Sequence, residues 1–487
     1  MQPTLAAGFT NLRLKYPGED GLLFKGLSLS VQQGEKVLLL GPSGCGKSTV
    51  LQVLSGLVPR SIELPMKQDA ITVPERSGYV FQDPDAQFCM PYVDEELAFV
   101  LENLCVPREE MPARIERLLA RVGLQLEHTH TLIQSLSQGM KQRLAVASAM
   151  ALEPDVLFLD EPTALLDSEG TKQVWDSIKR STSEQTLIIV EHKIDQIVDW
   201  VDRLIVMSPD GALLTEGTPA EVFASHKQQF IEYGIWYPGV WRDHRDNNQK
   251  RTSTAKPVDQ PDNSALLHME QFRGYRGGLP KIVVNHMDVT AGEWISVIGA
   301  NGAGKSSLLL AIMRLIKTDG ICSVSGLITN KIELLADRIA FVFQNPEFQF
   351  ITNSVEDEIA YSFQLETIDK DERKRRVLDV LERFHLLPYK NRHPYQLSMG
   401  QKRRLSVAVS IERGQKLLLL DEPTFGLDAR NTFSMLDRLE QLRIQGATII
   451  LVTHDEEIVQ HYSTRVWEIQ AGKLTMVRCK EADEPCN

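Results

Sequence analysis

Short, nearly continuous apolar runs punctuate this chain at Lys36–Leu40 (KVLLL), 156–159 (VLFL), Thr186–Val190 (TLIIV), Trp294–Ile298 (WISVI), 417–420 (LLLL) and Thr448–Val452 (TIILV). Runs of four or five apolar residues without polar alternation predict strands covered on both faces. The runs at Lys36–Leu40 and Trp294–Ile298 are followed, after a glycine-rich turn, by the helix-like sequences TVLQVLSGL and SLLLAIMRLI. Elsewhere Val93, Leu97, Val100 and Leu104 recur at helical spacing, as do Val355, Ile359 and Phe363, and Ser354 with Asp357 resembles a capping box. Strands alternating with helices predict an α/β fold with a mainly parallel sheet. The separate helical stretches predict a helical subdomain inserted in that sheet framework.

The pattern is written twice. GPSGCGKS at Gly41 returns as GANGAGKS at Gly299, and YVFQDPDAQF at Tyr79 as FVFQNPEFQF at Phe341. LSQGMKQRL at Leu136 returns as LSMGQKRRL at Leu397, VLFLDEPT at Val156 as LLLLDEPT at Leu417, and VEH at Val190 as VTH at Val452. The offsets are 258, 262, 261, 261 and 262 residues, so one module of about 230 residues is repeated. The expected domains are 4–240 and 265–480. Residues 241–264 are polar, contain proline and lack apolar periodicity, and are expected to be an irregular linker. The aromatic stretch before them, YGIWYPGVW, is expected to pack on the first module.

Of the 487 residues 43% are apolar and 24% charged, which excludes a disordered or collagen-like chain. The net charge of −12 argues against nucleic acid as a partner. The six cysteines show no CxxC spacing and read as reduced thiols of a cytosolic protein. The N-terminus has no charged-then-apolar leader pattern. The apolar runs fall far short of the ~20 residues that cross a bilayer, so any role at a membrane needs another protein to hold the chain there.

The glycine turns carry the first candidate chemistry. GxxxxGK[ST] between a strand and a helix is a phosphate-binding loop, in which glycines let backbone N–H groups curl around an anion. Its candidate residues are Gly41, Ser43, Gly44, Gly46, Lys47, Ser48 and Thr49, and in the second copy Gly299, Asn301, Gly302, Gly304, Lys305, Ser306 and Ser307. The lysines would meet the outer phosphates of ATP, and Ser48 and Ser306 would offer a hydroxyl to Mg²⁺. At the end of a buried strand stand Asp160-Glu161 and Asp421-Glu422. Asp160 and Asp421 are expected to hold Mg²⁺, Glu161 and Glu422 to polarise the attacking water.

Together these motifs resemble the ATP-binding cassette (ABC) ATPases, across both modules. The specific mark is LSxG, whose Ser137 and Ser398 lie 23 residues before Asp160 and Asp421. The sequence departs from the family's LSGGQ at Gln138 and Met399, and at Met140 of the first copy. The resemblance implies two P-loop NTPase domains arranged head to tail within one chain. In that arrangement Ser137, Gly139, Ser398 and Gly400 would contact the nucleotide held by the other cassette. It further implies that Gln82 and Gln344 are Q-loop glutamines that sense Mg²⁺, and that His192 and His454 are switch histidines. By the same resemblance Asp167 and Asp428 are D-loop residues, and Tyr16 and Tyr275 are candidates for stacking on adenine.

After each Q-loop glutamine come DPDAQFCM and NPEFQFIT, with a second glutamine, Gln87 or Gln349, five residues on. This resembles the ATPases of energy-coupling factor (ECF) importers, and the two-cassette chain resembles those linked to thiamine-precursor import. That implies a transmembrane coupling subunit and a substrate-binding membrane subunit as partners, at the cytoplasmic side of the cell membrane. Asp85 and Glu347 are expected to face cations of the coupling helices. The alternative is a soluble tandem ABC translation factor acting on ribosomes. Such proteins usually join their cassettes by a long charged helical arm, for which residues 241–264 lack the pattern.

Overall fold

The computed structural model describes residues 4–19, 21–164, 166–182, 185–252, 265–364, 368–479 and 482–485. They form two compact units, one of Met1–Val240 with Asp428–Arg430 and one of Trp241–Leu427 with Asn431–Asn487.

In the first unit six strands lie in the order Leu213–Gly217, Arg203–Met207, Lys36–Leu40, Thr186–Val190, Val156–Asp160, Ser77–Val80. All neighbours are parallel except the outermost pair, Leu213–Gly217 with Arg203–Met207. Val156–Asp160 and Thr186–Val190 are buried at every position, which is why their sequences do not alternate. A second, antiparallel sheet is built on Leu5–Leu14 and Phe24–Gln32. The helix Lys47–Leu54 contributes Val50, Leu51, Val53 and Leu54 to one core with Phe24, Leu39 and Phe158.

The second unit repeats the plan. Arg465–Gln470, Trp294–Ile298, Thr448–Val452, Leu417–Asp421 and Ile339–Val342 are consecutive parallel strands. Leu267–Arg276, Leu279–Val289 and Lys317–Val324 form the antiparallel part, joined to the rest through a single Val283–Lys473 bridge. The helix Lys305–Ile312 is shorter than its apolar sequence suggests, since Arg314 has left helical geometry with φ 60°.

Each unit carries the expected inserted helices: Val93–Asn103 and Met111–Arg121, then Val355–Ser362 and Lys370–Arg383. Val355, Ile359 and Phe363 are buried as their spacing predicts, and Ser354 caps its helix by accepting from Asp357 N at 3.0 Å. In the first unit the buried stripe runs through Val93, Leu97 and Leu101. Leu104, expected on that stripe, stands at the C-cap and is exposed. A strict i, i+4 series outcompetes the mixed spacing here because the helix presents only three turns to its neighbours.

Residues 240–252 differ from expectation. Val240–Thr252 is a helix, not irregular linker. Its sequence lacks apolar periodicity because its described packing comes from its first turns. Trp241 meets Phe433 edge-on with ring centroids 4.9 Å apart, and His244 stacks on Phe433 at 4.0 Å. His244 Nε2 also lies 3.1 Å from Asp437 Oδ1. Upstream, Tyr237 is buried with its ring near Phe230, within the first unit. The rest of the expected linker, 253–264, lies outside the described residues.

Leu419, fully buried in the strand Leu417–Asp421 of the second unit, tests the two-face packing. Leu419→Ala should cost about 2–5 kcal/mol, the usual range for truncating a core leucine. The expected readout is an early unfolding transition in urea, with the transition of the first unit left in place.

Candidate functional site

Both phosphate loops begin where a buried strand ends. Gly46 and Gly304 stand at the helix N-caps with φ 98° and 116°. A side chain at Gly46 would run into the Phe24 ring at 2.7 Å, and one at Gly304 into Lys281 O at 2.6 Å. Glycine is therefore required there by conformation and by space. Lys47 Nζ donates to Gly41 O (2.8 Å) and Pro42 O (3.0 Å), and Lys305 Nζ to Gly299 O (2.7 Å) and Ala300 O (3.0 Å). Each ammonium thus closes the loop on itself through neutral carbonyls.

The Asp-Glu pairs sit at the strand ends beside these loops. Ser48 Oγ donates to Asp160 Oδ1 (2.9 Å), and Tyr79 OH to Asp160 Oδ2 (2.9 Å). Burial pushes the Asp160 carboxyl up to about 6, against the pull of Ser48. Glu161 takes φ 49°, a left-handed turn that ends the strand's alternation. Its carboxylate then receives Gln82 Nε2 at 2.9 Å on one oxygen and lies 3.0 Å from His192 Nε2 on the other. Burial would raise the Glu161 carboxyl, but the His192 ring and the Lys47 ammonium reverse the sign and hold it below the usual range. The fold therefore gathers Lys47, Ser48, Gln82, Asp160, Glu161 and His192 around one point.

The second copy is looser. Ser306 bonds Asp421, but Phe341 stands where the first copy has Tyr79, and Asp421 Oδ1 is buried without a hydrogen-bond partner among the described residues. His454 Nε2 lies 3.5 Å from Glu422 Oε1. Gln344 is exposed and makes no hydrogen bond to Glu422. A buried arginine compensates: Arg403 donates to Phe343 O (2.9 Å) and Gln344 O (2.5 Å). Burial lowers its pKa to about 10, against the pull of Glu422 and Asp421. The first copy has Gln142 at that place, donating to Phe81 O at 3.3 Å.

An all-oxygen set of one hydroxyl and one carboxylate suits a hard divalent cation such as Mg²⁺. The raised carboxyl of Asp160 and the unpartnered Oδ1 of Asp421 are both groups that a cation would satisfy. Residues 41–48 and 299–306 likewise fit a phosphate chain, since nothing lies within 4 Å of a side chain built at Gly44 or Gly302.

Tyr16 OH lies 2.8 Å from Thr49 Oγ1, beside the first loop. Tyr275 OH instead donates to Asp319 Oδ2 at 2.7 Å. Ser137 and Ser398 both cap helices, accepting from Met140 N and Gln401 N. Only the second forms a reciprocal capping box, because Met140 has no oxygen to return to the Ser137 N–H. Gly139 and Gly400 lie in the first turns of the same helices, and Asp167 caps the helix Ser168–Ser181.

Several side chains that shape this region escape a reading of the sequence. Glu191, fully buried, accepts from Thr163 Oγ1 (2.7 Å) and from the His192 N–H (2.9 Å). Burial raises its carboxyl pKa. Thr453 replaces it in the second copy. Buried Glu96 accepts from the N–H groups of Cys89 and Met90, and buried Glu358 from those of Ile351 and Thr352. The one signal available was their recurrence at the fourth position of VDEE and VEDE.

The acids of the segment after the Q-loop glutamine require a correction. Asp85 is paired with Lys141 at 2.7 Å and Glu347 with Lys402 at 2.5 Å, both lysines belonging to the LSxG helices. They are not standing open for a partner's cations. Gln87 and Gln349 tie the segment to the same helices, through Ala145 O (3.2 Å) and through Ser406 O and Ser410 Oγ (3.3 and 2.7 Å).

The ABC transporter family profile matches residues 24–164 and 284–425. A Bacillus subtilis protein named "Putative HMP/thiamine import ATP-binding protein YkoD" is 33% identical, over 93% of this chain and 88% of its own length. A Methanosarcina mazei protein named "Putative ABC transporter ATP-binding protein" is also 33% identical, over 96% and 88%. Among solved structures, cbiO1 of Clostridium perfringens, part of the ABC transporter complex cbiONQ, is 28% identical over 44% of this chain and 88% of its own, with a TM-score of 0.39. No helix among the described residues is long and apolar enough to cross a membrane. With both cassettes matched and the similarity spanning nearly the whole length, this chain belongs to the ABC transporter family and is a two-cassette, ATP-binding ABC transporter ATPase.

Proposed function

We propose that this chain is the ATP-hydrolysing, energy-coupling subunit of an ECF-type importer for a vitamin, a vitamin precursor or a metal ion. It would be held peripherally at the cytoplasmic face of the cell membrane by a transmembrane coupling subunit working with a substrate-binding membrane subunit. The observation that carries this reading is the braced segment after each Q-loop glutamine. In the second cassette this segment carries an exposed apolar surface, where Phe348 is 74% and Ile351 65% exposed, while in the first Phe88 is half-buried. Large apolar side chains so exposed beside a catalytic loop suit a protein partner. The name of the similar Bacillus protein supports import as the direction and a thiamine precursor as one candidate solute. The helix at Val240–Thr252 gives the expected linker a helical start, contrary to the expectation that spoke against a ribosomal factor. The acidic net charge of −12 still speaks against a ribosomal role.

Within each cassette the residues have separable roles. Lys47 and Lys305 exchange two neutral carbonyl partners for phosphate oxygens when nucleotide binds. Mg²⁺, held by Ser48 and Asp160 with Gln82, or Ser306 and Asp421 with Gln344, would neutralise charge on the phosphates. Glu161 and Glu422 act as the bases that orient water. An ionised Glu161 is favoured by His192 and Lys47, and Gln82 fixes its second oxygen. His192 and His454 are placed to meet the outer phosphate and the glutamate together. Glu191 holds the His192 and Lys193 N–H groups in the first cassette, whereas Thr453 accepts from the Asp455 N–H in the second.

Glu161→Gln and Glu422→Gln should each lower ATP turnover of the assembled transporter, by about 10²-fold or more at the altered site, while nucleotide affinity changes little. Phosphate release and equilibrium nucleotide binding measured on the same preparations check this. Wild-type turnover in either variant would rule out two active sites.

Glu191→Thr should reduce kcat at the first site with KM nearly unchanged, by about tenfold for one lost positioning contact set. Glu191→Gln, which keeps an acceptor oxygen for the His192 N–H and can donate its amide N–H to Thr163 Oγ1, should recover most of it. Equal loss in both variants would assign Glu191 to stability alone.

Phe348→Asp combined with Ile351→Asp alters the exposed apolar surface without touching the Lys402–Glu347 pair. The isolated chain should keep its ATP affinity within about twofold, while co-purification with its transmembrane subunit should be lost. Intact complex formation would remove these residues from the docking surface.

A further inference from the structure

Outside the nucleotide sites, one cluster of titratable side chains has the chemistry of a ligand set. His268 and Glu270 lie on the strand Leu267–Arg276, His286 and Asp288 on its antiparallel neighbour Leu279–Val289. The register sets His268 opposite Asp288 and Glu270 opposite His286. Residues two apart share a face, and directly opposed residues share it too, so the four form a square with histidines on one diagonal. Their exposure fits that reading: Leu267 and Met269, between and beside them, are buried on the other face.

We propose that His268, His286 and Asp288 form a surface site for a borderline divalent transition metal of the Zn²⁺ class, with Glu270 at its margin. One nitrogen from each histidine and one carboxylate oxygen all lie within 4.8 Å of one another. His268 Nδ1 is 2.7 Å from Asp288 Oδ1, and His286 Nε2 is 3.2 Å from Asp288 Oδ2. Ligands at about 2.0–2.1 Å from a tetrahedral Zn²⁺ stand roughly 3.3 Å apart, so each histidine already lies near that spacing from one of the two Asp288 oxygens, and a small turn of the carboxylate would offer a single oxygen to both. Glu270 Oε2 lies 4.0 Å from His268 Nε2, beyond hydrogen-bond distance but adding negative charge at the margin of the site.

The surroundings do not oppose a cation. On the third strand, Ser323 lies opposite His268 and Ile321 opposite Glu270, neither of them charged. Arg465 donates to the Asp288 main-chain oxygen at 2.8 Å, but its charge is met by Glu293 at 3.0 Å. Imidazole and carboxylate together favour Zn²⁺, Cu²⁺ or Ni²⁺ over Mg²⁺, which prefers oxygen alone. Among the described residues this is the one group of three or more ligand side chains so arranged, which predicts a single site per chain.

The test is isothermal titration of ZnCl₂ into the nucleotide-free full chain, beside the same titration with MgCl₂. One Zn²⁺ per chain is expected, with no Mg²⁺ heat at this site. His286→Ala and Asp288→Asn should each weaken Zn²⁺ binding at least roughly tenfold, the loss seen even for outer partners of a metal. All variants should keep the wild-type melting temperature within about 2 °C without metal, as surface substitutions do. Absence of Zn²⁺ binding in the wild type would overturn the proposal. So would undiminished binding in a His268→Ala, His286→Ala double variant, which would transfer the metal to other groups such as the exposed thiols of Cys89 and Cys105.

Discussion

A carboxylate at the end of a strand buried on both faces cannot be left to water, and much of each cassette is arranged around that demand. Asp160 is 6% exposed and Asp421 5%. An isolated buried charge costs several kcal/mol unless it is paired or protonated. In the first copy the fold meets the demand with two hydroxyls, Ser48 and Tyr79, and with Lys47 nearby. Even so, burial dominates and Asp160 titrates near 6. Glu161 is handled differently: a left-handed turn swings it out of the strand register toward His192 and Gln82. Non-glycine residues at positive φ carry a local cost that surrounding structure must offset. Both copies accept it, Glu422 having φ 52°. In the first copy the two adjacent carboxylates thereby obtain opposite protonation tendencies, Asp160 raised and Glu161 lowered.

The two copies solve the same electrostatic problem with different residues. Loss of the tyrosine hydroxyl at Phe341 leaves Asp421 Oδ1 unpartnered. The compensating charge arrives from the LSxG helix, where Arg403 replaces Gln142. A hydroxyl offers a short-range bond to one oxygen, whereas a guanidinium acts over longer distance on both Asp421 and Glu422 while bonding the main chain of Phe343 and Gln344. The second copy therefore adds the field of Arg403 to the Ser306 hydrogen bond, where the first uses two hydroxyls. Thr453 stands in place of Glu191, so the second copy carries one buried carboxylate fewer beside its Asp-Glu pair.

What the sequence made legible was local or repeated. Continuous apolar runs located the core strands nearly to the residue, and the glycine turns located both phosphate loops. Pairings between distant segments were not legible. Asp85 with Lys141 and Glu347 with Lys402 are separated by 56 and 55 positions, and nothing in either segment announces the other. Glu96 and Glu358 look like solvated first-turn acids until their carboxylates are seen to cap two backbone N–H groups each. Helical spacing also misplaced Leu104, because Val93, Leu97 and Leu101 already make a complete buried stripe. The Val240–Thr252 helix was missed because its packing comes from Trp241 and His244, too few residues to create a period.

Those distant pairings bear on how hydrolysis could be felt at the surface. An exposed ion pair holds segments together weakly, about 0–1 kcal/mol. Lys141 and Lys402 are only 12% and 11% exposed, so their pairs are better shielded than that. Around them the segment is also fixed by an Asx-type cap from Asp83 or Asn345, by Gln87 or Gln349, and by Glu96 or Glu358. Each bond is modest, but together they leave a short peptide with few free torsions between Gln82 and Cys89, or Gln344 and Ile351. Displacement of the glutamine at the nucleotide end must then either break several hydrogen bonds at once or move the exposed end with it. In the first copy Gln82 is itself bonded to Glu161, so its segment is held at both ends, whereas in the second copy the braces tie the segment bearing the exposed Phe348 and Ile351 to the LSxG helix through Lys402, Ser406 and Ser410.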